Sequence, residues 1–576
     1  MIGPDVSILG GTMQTSHSVR RGAIAIVLIL AFVAGACGSS KNSDSSGSPP
    51  GSAGGDTSTD VTIANTGTPK IGGTLTYGLA AESDGWNPTK NRWSGDGTEV
   101  GLAIYDPLAA FDENTVAQPY LAKSFTPSAD FLTWTIALRE GVTFQDGSPL
   151  DASVLKTIFD AHKASALTAP ALADLDTVTA TGPLTAEFKM KAPWATFPSS
   201  LTGQLGMVPS PKTLSDESGT ALPIGTGPFK MTQWLTNDSV TTVKNGTYWR
   251  KDSSGTQLPY LDGVNFKVIT ETQSKINALK AGDIDMASTS VPEGVIPARK
   301  AADAGEIQLV ENQGETEESF VMLNGGQAPF DSLTARQAVA YATDQASYIA
   351  AVDQGNTLPV HTVFREGTQY YVDAPYPSFD LDKAKQLVQQ YQSDTGKPLQ
   401  FELQSDSTAA GTLQAQFLKD NWEAAGMKVT IQLVDQASLI VNAVTGKYQS
   451  TTWAQFGSPD PDYDYLWWIS DNAAPIGNLG LNIARNKDPE IDAALKAARE
   501  TTDPTIRQKN YGIVATKINE DVPYIWLARG HWIIVANNAV RGLTQGPLPD
   551  GQPSYPIGGP GGFGTANRLT QTWLDR

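Results

Sequence analysis

Two segments of the chain carry apolar side chains at every second position, which is the period of a half-buried β-strand. They are TLTYGL at 74–79 and TWTIALR at 133–139. In the second segment Trp134, Ile136 and Leu138 fall on one face. Both segments are therefore predicted to be strands that pack against a core.

A helical spacing of apolar residues follows the second strand. Val154, Leu155, Ile158 and Phe159 recur at the intervals that place side chains on one side of a helix. Asp151 precedes them, and its carboxylate is suited to accept hydrogen bonds from the first free backbone N–H groups. The pattern predicts a helix that begins after this aspartate.

A helix, a glycine and a strand are predicted to follow one another later in the chain. The segment TLQAQFLKDNWEAAG is expected to direct Leu413, Phe417 and Leu418 toward a core and to end at Gly426, before the strand-like KVTIQLV. This order is typical of an α/β fold. The roughly 500 residues after residue 70 are too many for one core, which predicts at least two lobes.

The chain begins with the pattern of a secretory signal peptide, predicted to span residues 1–36. Arg20 and Arg21 precede an apolar run, GAIAIVLILAFV, which is followed by three small residues. The run is too short to cross a bilayer. The small residues lead to Cys37, the only cysteine among 576 residues.

The ending AGAC resembles the lipobox of bacterial lipoproteins, although Ala34 stands where that motif usually carries Leu. The resemblance implies that Cys37 is lipidated and anchors the chain at the outer face of the cytoplasmic membrane. A catalytic thiol would need a base held beside it. Residues 37–70 are instead rich in Ser, Gly, Thr and Pro, which predicts a disordered linker.

Composition narrows the class of protein. The net charge of −19 is unfavourable for binding nucleic acid or anionic lipid. No second apolar run is long enough to cross a membrane. The 13 Trp and 17 Tyr supply large aromatic side chains, which build cores and line ligand clefts.

The sequence lacks the common catalytic signatures. It contains no G-x-S-x-G elbow and no phosphate-binding loop. Its four histidines, His17, His162, His361 and His531, do not have metal-ligand spacing. The chain is therefore expected not to be an enzyme and to need no cofactor or metal.

One acidic segment has part of the spacing of a calcium loop. Asp460, Asp462, Asp464 and Asp471 occupy positions 1, 3, 5 and 12 of such a loop. Position 6 requires Gly for its sharp turn and holds Tyr465, and position 12 favours the longer, bidentate Glu. The segment is not predicted to bind calcium.

A longer set of motifs points to a family. The segment QPYLAKSFTPSADFLTWTIALREGVTFQDGSPLDASVL closely resembles the family 5 extracellular solute-binding proteins, the oligopeptide-, dipeptide- and nickel-binding components of ABC importers. Further motifs occur in the family's order: IYDPL at 104–108, GTGPF at 225–229, NGTYW at 245–249, LKAGDIDM at 279–286, ARQAVAYATD at 335–344 and NKDPEIDAAL at 486–495. The resemblance covers residues 72 to about 543.

The resemblance implies an α/β, two-lobed fold of the periplasmic-binding-protein type, in its large form, with a ligand cleft between the lobes. Lobe one is expected to comprise residues 71–320 and 540–576, with an extra subdomain at about 110–215, and lobe two residues 321–539. The two crossovers between lobes are expected near 318–324 and 533–543.

The same resemblance implies a function that requires no chemistry. A ligand that touches both lobes stabilises the closed state by its differential affinity. The closed protein, expected to be a monomer, then delivers the solute to the permease subunits of an ABC importer. The alternatives are a tethered secreted carbohydrate-active hydrolase and a binding or sensing lipoprotein without a role in transport.

The sequence leaves the ligand open. In peptide-binding relatives, an Asp three residues after a Trp in lobe two pairs with the α-ammonium of the ligand. Here Trp453 matches the Trp, but Phe456 stands in place of the Asp, so a buried ammonium lacks its partner unless Asp460 replaces it through a shift of the loop. An oligopeptide is the expected solute, and an oligosaccharide, which stacks on aromatic rings, is the alternative.

Other residues are candidates for contact with the ligand. Glu82 lies where relatives approach the ligand, and Arg485 carries a guanidinium that is able to bind a carboxylate through two hydrogen bonds. The complete predicted set is Glu82, Trp86, Trp93, Asn324, Trp453, Phe456, Asp460, Trp467, Asn482 and Arg485.

Overall fold

The computed structural model describes residues 67–216, 222–311, 317–455, 457–557 and 566–576, except for the side chain of Ala437. The predicted signal peptide, Cys37 and all but the last four residues of the predicted linker lie outside the described residues. Phe456 also lies outside them.

Lobe one is built on a mixed sheet, which we call sheet one. Its central strand, Thr74–Leu79, is the first strand that the alternating pattern predicts, and it pairs in parallel with a strand on each side. Leu75 and Tyr77 of this strand are buried in the core. In hydrogen-bonded order the strands of sheet one are Gln308–Glu311, Ile533–Ala536, Met286–Thr289, Thr74–Leu79, Gly263–Val268, Ser239–Lys244 and Phe229–Leu235.

A subdomain of lobe one carries its own antiparallel sheet. The helix Ala152–Ala164 packs on this sheet, and Asp151 caps it by accepting hydrogen bonds from the backbone N–H groups of Ser153 and Val154, as predicted. The strands, in order, are Ala122–Pro127, Thr133–Leu138, Thr185–Met190 and Leu175–Gly182. Trp134, Ile136 and Leu138 share the buried face of the second strand, which confirms that prediction.

Lobe two is built on a second mixed sheet, which we call sheet two. Its strands, in order, are Lys428–Val434, Gln400–Asp406, Ser450–Gln455, Glu318–Leu323 and Tyr524–Arg529. The strand Gln400–Asp406 is parallel to both of its neighbours, and the other pairs are antiparallel. Separate groups of apolar side chains pack on the two faces of this sheet.

The predicted helix before KVTIQLV is present as Ala409–Ala424, but part of its predicted buried face is wrong. Leu413 is 51% exposed, whereas Leu418 and Trp422 are fully buried. The helix packs on two strands of sheet two, and that contact sets the buried face. The indole N–H of Trp422 donates to the hydroxyl of Thr343 at 2.9 Å.

The chain passes twice between the two sheets. It leaves sheet one after Glu311 and enters sheet two at Glu318, then leaves sheet two after Arg529 and enters sheet one again at Ile533. The boundary expected at residue 539 is therefore wrong, because the strand Ile533–Ala536 pairs with two strands of sheet one. The second crossover lies at 530–532.

The remaining elements complete the two lobes. The helices of lobe one are Gly95–Ile104, Thr272–Ala281 and Pro292–Asp303, with Ala152–Ala164 and the short helices Phe197–Ser200 and Pro211–Ser215 in the subdomain. The helices of lobe two are Leu333–Ala342, Gln345–Ala351, Leu381–Thr395, Ala409–Ala424, Gln436–Thr445, Tyr465–Trp468, Pro489–Arg499 and Pro504–Asp521. Single 3₁₀ turns occur at Ala169–Leu172, Gln204–Gly206, Pro461–Asp464 and Ser470–Asn472, and two-stranded ribbons pair Ala109–Phe111 with Ala117–Pro119 and Val540–Arg541 with Trp573–Leu574.

Candidate interlobe binding site

The acidic segment, residues 460–464, follows the strand Ser450–Gln455 and lies where lobe two meets the subdomain of lobe one. Pro461 starts a short 3₁₀ turn, and the carboxylate of Asp460 caps this turn by accepting from the backbone N–H of Asp462. A proline suits the first position of a helical turn because its missing N–H has no partner there. The turn holds three aspartates at alternate positions.

Side chains of the subdomain donate hydrogen bonds to two of these aspartates. Trp194 Nε1 and Thr196 Oγ1 each lie 2.8 Å from Oδ2 of Asp462. Ser199 Oγ lies 2.9 Å from Oδ2 of Asp460. We call these five residues the latch, because they join lobe one to lobe two directly.

Each latch aspartate is also paired with a buried arginine of lobe two. Arg499 donates to Asp462 through Nε at 2.7 Å, and Arg507 donates to Asp460 through Nη2 at 2.5 Å. Burial opposes the ionisation of Asp462, but the adjacent guanidinium and the hydrogen bonds from the subdomain hold its pKa below the ordinary value. The guanidinium of Arg499 also lies 3.4 Å from the ring centre of Tyr465.

Asp464, the third aspartate, has a different environment. It is 4% exposed, and it accepts hydrogen bonds from Nε2 of Gln455 at 3.5 Å and from the backbone N–H of Ser458. Burial raises the pKa of this carboxyl well above its usual range, and the negative charges of Asp460 and Asp462 add to the effect. Asp464 is therefore held in conditions that favour its protonated form.

Asp464 lines a small chamber at the edge of sheet two. The polar side chains around this chamber are Glu318, Gln455 and Asp464, and its aromatic side chains are Phe320, Trp468, Tyr524 and Trp526. The free volume is about 10 Å³, which is room for about one water molecule. Glu318 follows the first crossover, and Asp464 lies two residues from Asp462 of the latch. The chamber is therefore close to the first crossover and to the latch.

Glu318 already has a cationic partner within the chamber wall. Arg529 Nη1 lies 3.2 Å from Glu318 Oε1, and both side chains are 6% exposed. Burial nevertheless raises the pKa of Glu318 to about 8, against the opposing effect of the guanidinium. The neighbouring Glu317 accepts a hydrogen bond from the indole of Trp532.

The predicted ligand contacts in lobe one are engaged with their own lobe. Glu82 accepts hydrogen bonds of 2.6 Å from Trp234 Nε1 and from the backbone N–H of Asn237. Trp86 is buried with its ring edge on Trp234, and Trp93 is buried with its indole N–H on the carbonyl of Gly85. These three predicted residues therefore lie together in one packed cluster.

Three predicted contacts of lobe two stabilise a buried turn. Asn324 donates to the carbonyls of Gly446 and Tyr448. Asn482 donates to three backbone carbonyls, and the guanidinium of Arg485 donates to three others. Arg485 is 5% exposed, so its expected role as a two-bonded partner of a ligand carboxylate does not fit this geometry.

The other predicted contacts of lobe two lie near the chamber. Trp453 and Gln455 are two residues apart on one strand, so they share a face of sheet two. Trp453 and Trp467 are partly buried against the same core. Asp460 belongs to the latch, where Arg507 and Ser199 occupy its carboxylate.

Sequence reasoning missed the groups that form the chamber. In the sequence, Asp464 is part of an incomplete calcium-loop spacing, and Gln455 stands between Trp453 and Phe456 without a pattern of its own. Glu318 lies at an expected crossover. The signal in the sequence is the alternation of aspartates at positions 460, 462 and 464.

Three broader observations complete the description. A larger cavity of about 440 Å³ lies elsewhere on lobe two, and its carboxylates, Asp344 and Asp373, are not buried. The described residues contain no group of three or more His, Cys, Asp or Glu arranged to hold a metal ion. The helices in the described part of the chain all fall short of the length or the apolar character that spanning a bilayer requires.

Comparison with known proteins gives a consistent result. The family model "Bacterial extracellular solute-binding proteins, family 5 Middle" matches residues 116–475. A glutathione-binding protein of Pectobacterium atrosepticum is 27% identical over 465 residues, which cover 78% of this chain and 87% of that protein.

Solved structures share the fold at lower identity. The Helicobacter pylori protein DppA in complex with the peptide STSA has a TM-score of 0.75 at 21% identity, over 88% of this chain and 99% of that one. The Bacillus subtilis oligopeptide-binding protein AppA, in complex with a nonapeptide, has a TM-score of 0.74 at 21% identity, over 88% of this chain and 100% of that one. The predicted two-lobed α/β fold is confirmed.

Proposed function

Because the chain belongs to the family 5 bacterial extracellular solute-binding proteins, we propose that it is the extracytoplasmic binding component of an ABC importer. It captures a peptide or another small polar solute between its lobes and delivers the solute to a membrane permease. The relatives named above are binding proteins rather than enzymes, and this supports a function without catalysis.

The latch is the observation that carries this proposal. Asp462 accepts hydrogen bonds from two side chains of lobe one while it is paired with Arg499 of lobe two. A contact made only when the lobes meet stabilises the closed state, and a solute held between the lobes adds its own differential affinity. Two chain crossovers and one set of non-covalent contacts, the latch, suit a binding protein whose lobes open and close about a hinge.

The proposal includes a membrane anchor. Cys37 is the lipidated residue, residues 38–70 link it to the folded lobes, and the protein acts as a monomer beside its permease. The Cys37→Ser variant is expected to move from the membrane fraction to the soluble extracytoplasmic fraction. A variant that stays with the membrane would show that the anchor is elsewhere.

A ligand screen tests the central claim. The full-length protein is mixed with di- to pentapeptides, nickel chelates and small oligosaccharides, and its melting temperature is measured with each. A specific ligand is expected to raise that temperature in proportion to the logarithm of its concentration, and to reduce the radius of gyration in solution scattering. If every solute class leaves both quantities unchanged, the proposed function loses its support.

A further inference from the structure

Two buried arginines of lobe one lie against the same tyrosine. The guanidinium carbon of Arg250 lies 5.1 Å from the ring centre of Tyr120, and that of Arg568 lies 4.8 Å from it. Arg250 is 5% exposed and Arg568 is 6% exposed. Two positive charges are therefore buried around one phenol ring, although the whole chain carries a net charge of −19.

The hydrogen bonds of Arg250 leave part of its guanidinium unsatisfied. Its Nη1 donates to the hydroxyl of Tyr120 at 2.7 Å, and its Nη2 donates to the backbone carbonyl of Pro547 at 2.8 Å. Its Nε is buried without a hydrogen-bond partner. Both acceptors are uncharged groups, so these hydrogen bonds do not neutralise the charge of Arg250.

Arg568 has less compensation than Arg250. Within the described part of the chain, its guanidinium donates no hydrogen bond and lies within ion-pair distance of no carboxylate; its contact is with the ring of Tyr120. Burial lowers the pKa of Arg568, and the positive charge of Arg250 adds to this effect. Because a buried charge without a partner is strongly unfavourable, this arrangement favours the binding of a negative group.

Asp106 is close enough to act electrostatically on both arginines, but its hydrogen bonds go to other residues. Its Oδ1 accepts from the hydroxyl of Tyr248 at 2.9 Å, and its Oδ2 accepts from Trp249 Nε1 at 2.8 Å. Even when Asp106 is ionised, one carboxylate balances one of the two guanidinium charges. One positive charge remains in excess.

A third arginine beside this cluster has its own carboxylate. Arg139 donates through Nε to the backbone carbonyl of Tyr120 at 2.7 Å, and its Nη2 lies 3.2 Å from Oδ2 of Asp550. This ion pair is neutral as a whole. It therefore leaves the excess charge of Arg250 and Arg568 as it is.

We propose that Arg568 and Arg250 form a binding site for a small oxyanion, which we call the arginine site. A guanidinium presents its N–H groups as a planar fork that matches two oxygens of an oxyanion. Arg568 offers the fork, and Arg250 offers its unused Nε and its charge. A singly charged anion would balance the excess charge of the cluster.

A bound oxyanion would connect two parts of lobe one that are distant in sequence. Arg568 belongs to the last described segment, residues 566–576, and Arg250 follows the motif NGTYW at 245–249. The anion is therefore expected to stabilise the packing of the C-terminal segment on lobe one. All residues of the arginine site belong to lobe one, so the inference is independent of the solute that binds between the lobes.

Thermal denaturation of the full-length protein tests the arginine site. Sodium phosphate, sulfate or formate is added at millimolar concentration, and sodium chloride keeps the ionic strength constant. At least one oxyanion is expected to raise the melting temperature along a curve that saturates, as filling of a site requires. Sulfate and phosphate also stabilise proteins by exclusion from their surfaces, but that effect does not saturate at millimolar concentration.

The three salts distinguish the source of the oxyanion. A saturating response to phosphate or sulfate assigns the arginine site to an inorganic anion, and a response to formate alone assigns it to a carboxylate. If no salt gives a saturating rise over sodium chloride, the proposal is wrong. The proposed function would be unaffected by that result, because its own test uses peptides, nickel chelates and oligosaccharides.

Two variants that each remove one positive charge locate the effect. Arg568→Gln is expected to raise the oxyanion concentration at half of the maximal response at least tenfold. Arg92→Gln is the control, because Arg92 is half exposed in the same lobe and pairs with Asp84, and its response is expected to equal that of the unsubstituted protein. Equal responses of the two variants would contradict the assignment.

Selenate locates the anion even if Arg568→Gln does not fold. Selenium scatters X-rays anomalously, so crystals of the unsubstituted protein grown with sodium selenate are expected to show an anomalous peak within hydrogen-bond distance of Arg568. A peak found solely at other positions would indicate an adventitious ion only. That result, or the absence of any peak, would overturn the inference.

Discussion

Asp462 combines the functions of ion-pair partner and interlobe acceptor in one side chain. The Asp462→Ala variant removes the acceptor of Trp194 and Thr196 and leaves Asp174 as the remaining ion-pair partner of the buried guanidinium of Arg499. Loss of one partner from a buried ion pair costs about 3–5 kcal/mol. The free energy of unfolding, measured with urea, is expected to fall by that amount.

An exposed aspartate provides the control for this prediction. Asp471→Ala is expected to change the free energy of unfolding by less than about 0.5 kcal/mol. Since the folded pKa of Asp462 is lowered, its contribution is present above the unfolded pKa of about 4 and is lost as pH falls through the folded pKa. The unsubstituted protein and Asp462→Ala should therefore approach each other in stability on acidification, and a constant difference down to low pH would contradict the assignment.

Individual residues were the hardest feature to predict from sequence. Asn324, Asn482 and Arg485 have the chemistry of ligand contacts, yet the structure directs each of them to backbone carbonyls of lobe two. The residue type determines which groups a side chain is able to bind, whereas the orientation of the side chain depends on the tertiary fold. Asp464 was missed for the same reason, because the tertiary packing determines which groups surround a buried carboxylate.

The helix Pro504–Asp521 offers a test at the scale of an element. Asp503 precedes it, and its carboxylate accepts from the backbone N–H groups of Thr505 and Ile506 at 2.8 and 3.2 Å. The Asp503→Ala variant leaves both N–H groups without this acceptor and is expected to cost about 1 kcal/mol. Chemical denaturation measures the loss, and amide hydrogen exchange should accelerate in the first turn.

Lys509→Ala is the control, because Lys509 lies exposed in the same helix and away from its ends. It is expected to leave both the free energy of unfolding and the exchange of the first turn unchanged within about 0.5 kcal/mol. Equal behaviour of the two variants would show that solvent replaces the cap without cost.

Local sequence patterns predicted the helices and strands better than they predicted which other elements these pack against. The strand Thr74–Leu79 and the helix after Asp151 follow from period and capping, which are properties of neighbouring residues. The buried face of Ala409–Ala424 depends on the two strands it packs against, and Leu413 was placed wrongly. The strand Ile533–Ala536 is apolar enough for either sheet, so only its pairing shows that it belongs to sheet one.

At the scale of the whole molecule, two crossovers connect the lobes along the chain, and the latch adds side-chain hydrogen bonds between them. The second crossover is short, at residues 530–532, and the ion pair between Glu318 and Arg529 lies where the chain enters and leaves sheet two. The family resemblance gave this arrangement from sequence. The latch could not be derived in that way, because its donors and acceptors are more than 250 residues apart.

The double variant Thr196→Val and Ser199→Ala tests whether the latch controls closure. It removes two hydrogen bonds from lobe one to carboxylates of lobe two, while Asp462 keeps Arg499 and Trp194 and Asp460 keeps Arg507. Hydrogen bonds to charged groups contribute about 1.5–3 kcal/mol each. Each lost bond is therefore expected to lower the ratio of closed to open protein at least tenfold. The radius of gyration of the ligand-free protein is expected to increase, and the affinity for whichever solute binds is expected to fall by a similar factor.

The control is Thr126→Val, at an exposed position on a strand of the same subdomain. It makes the same exchange of hydroxyl for methyl without touching lobe two, and both the radius of gyration and the affinity should stay unchanged. If the double variant also leaves both quantities unchanged, the latch does not hold the lobes together. If only the affinity falls, the hydroxyl groups of Thr196 and Ser199 contact the solute rather than govern closure, and the two measurements together separate these cases.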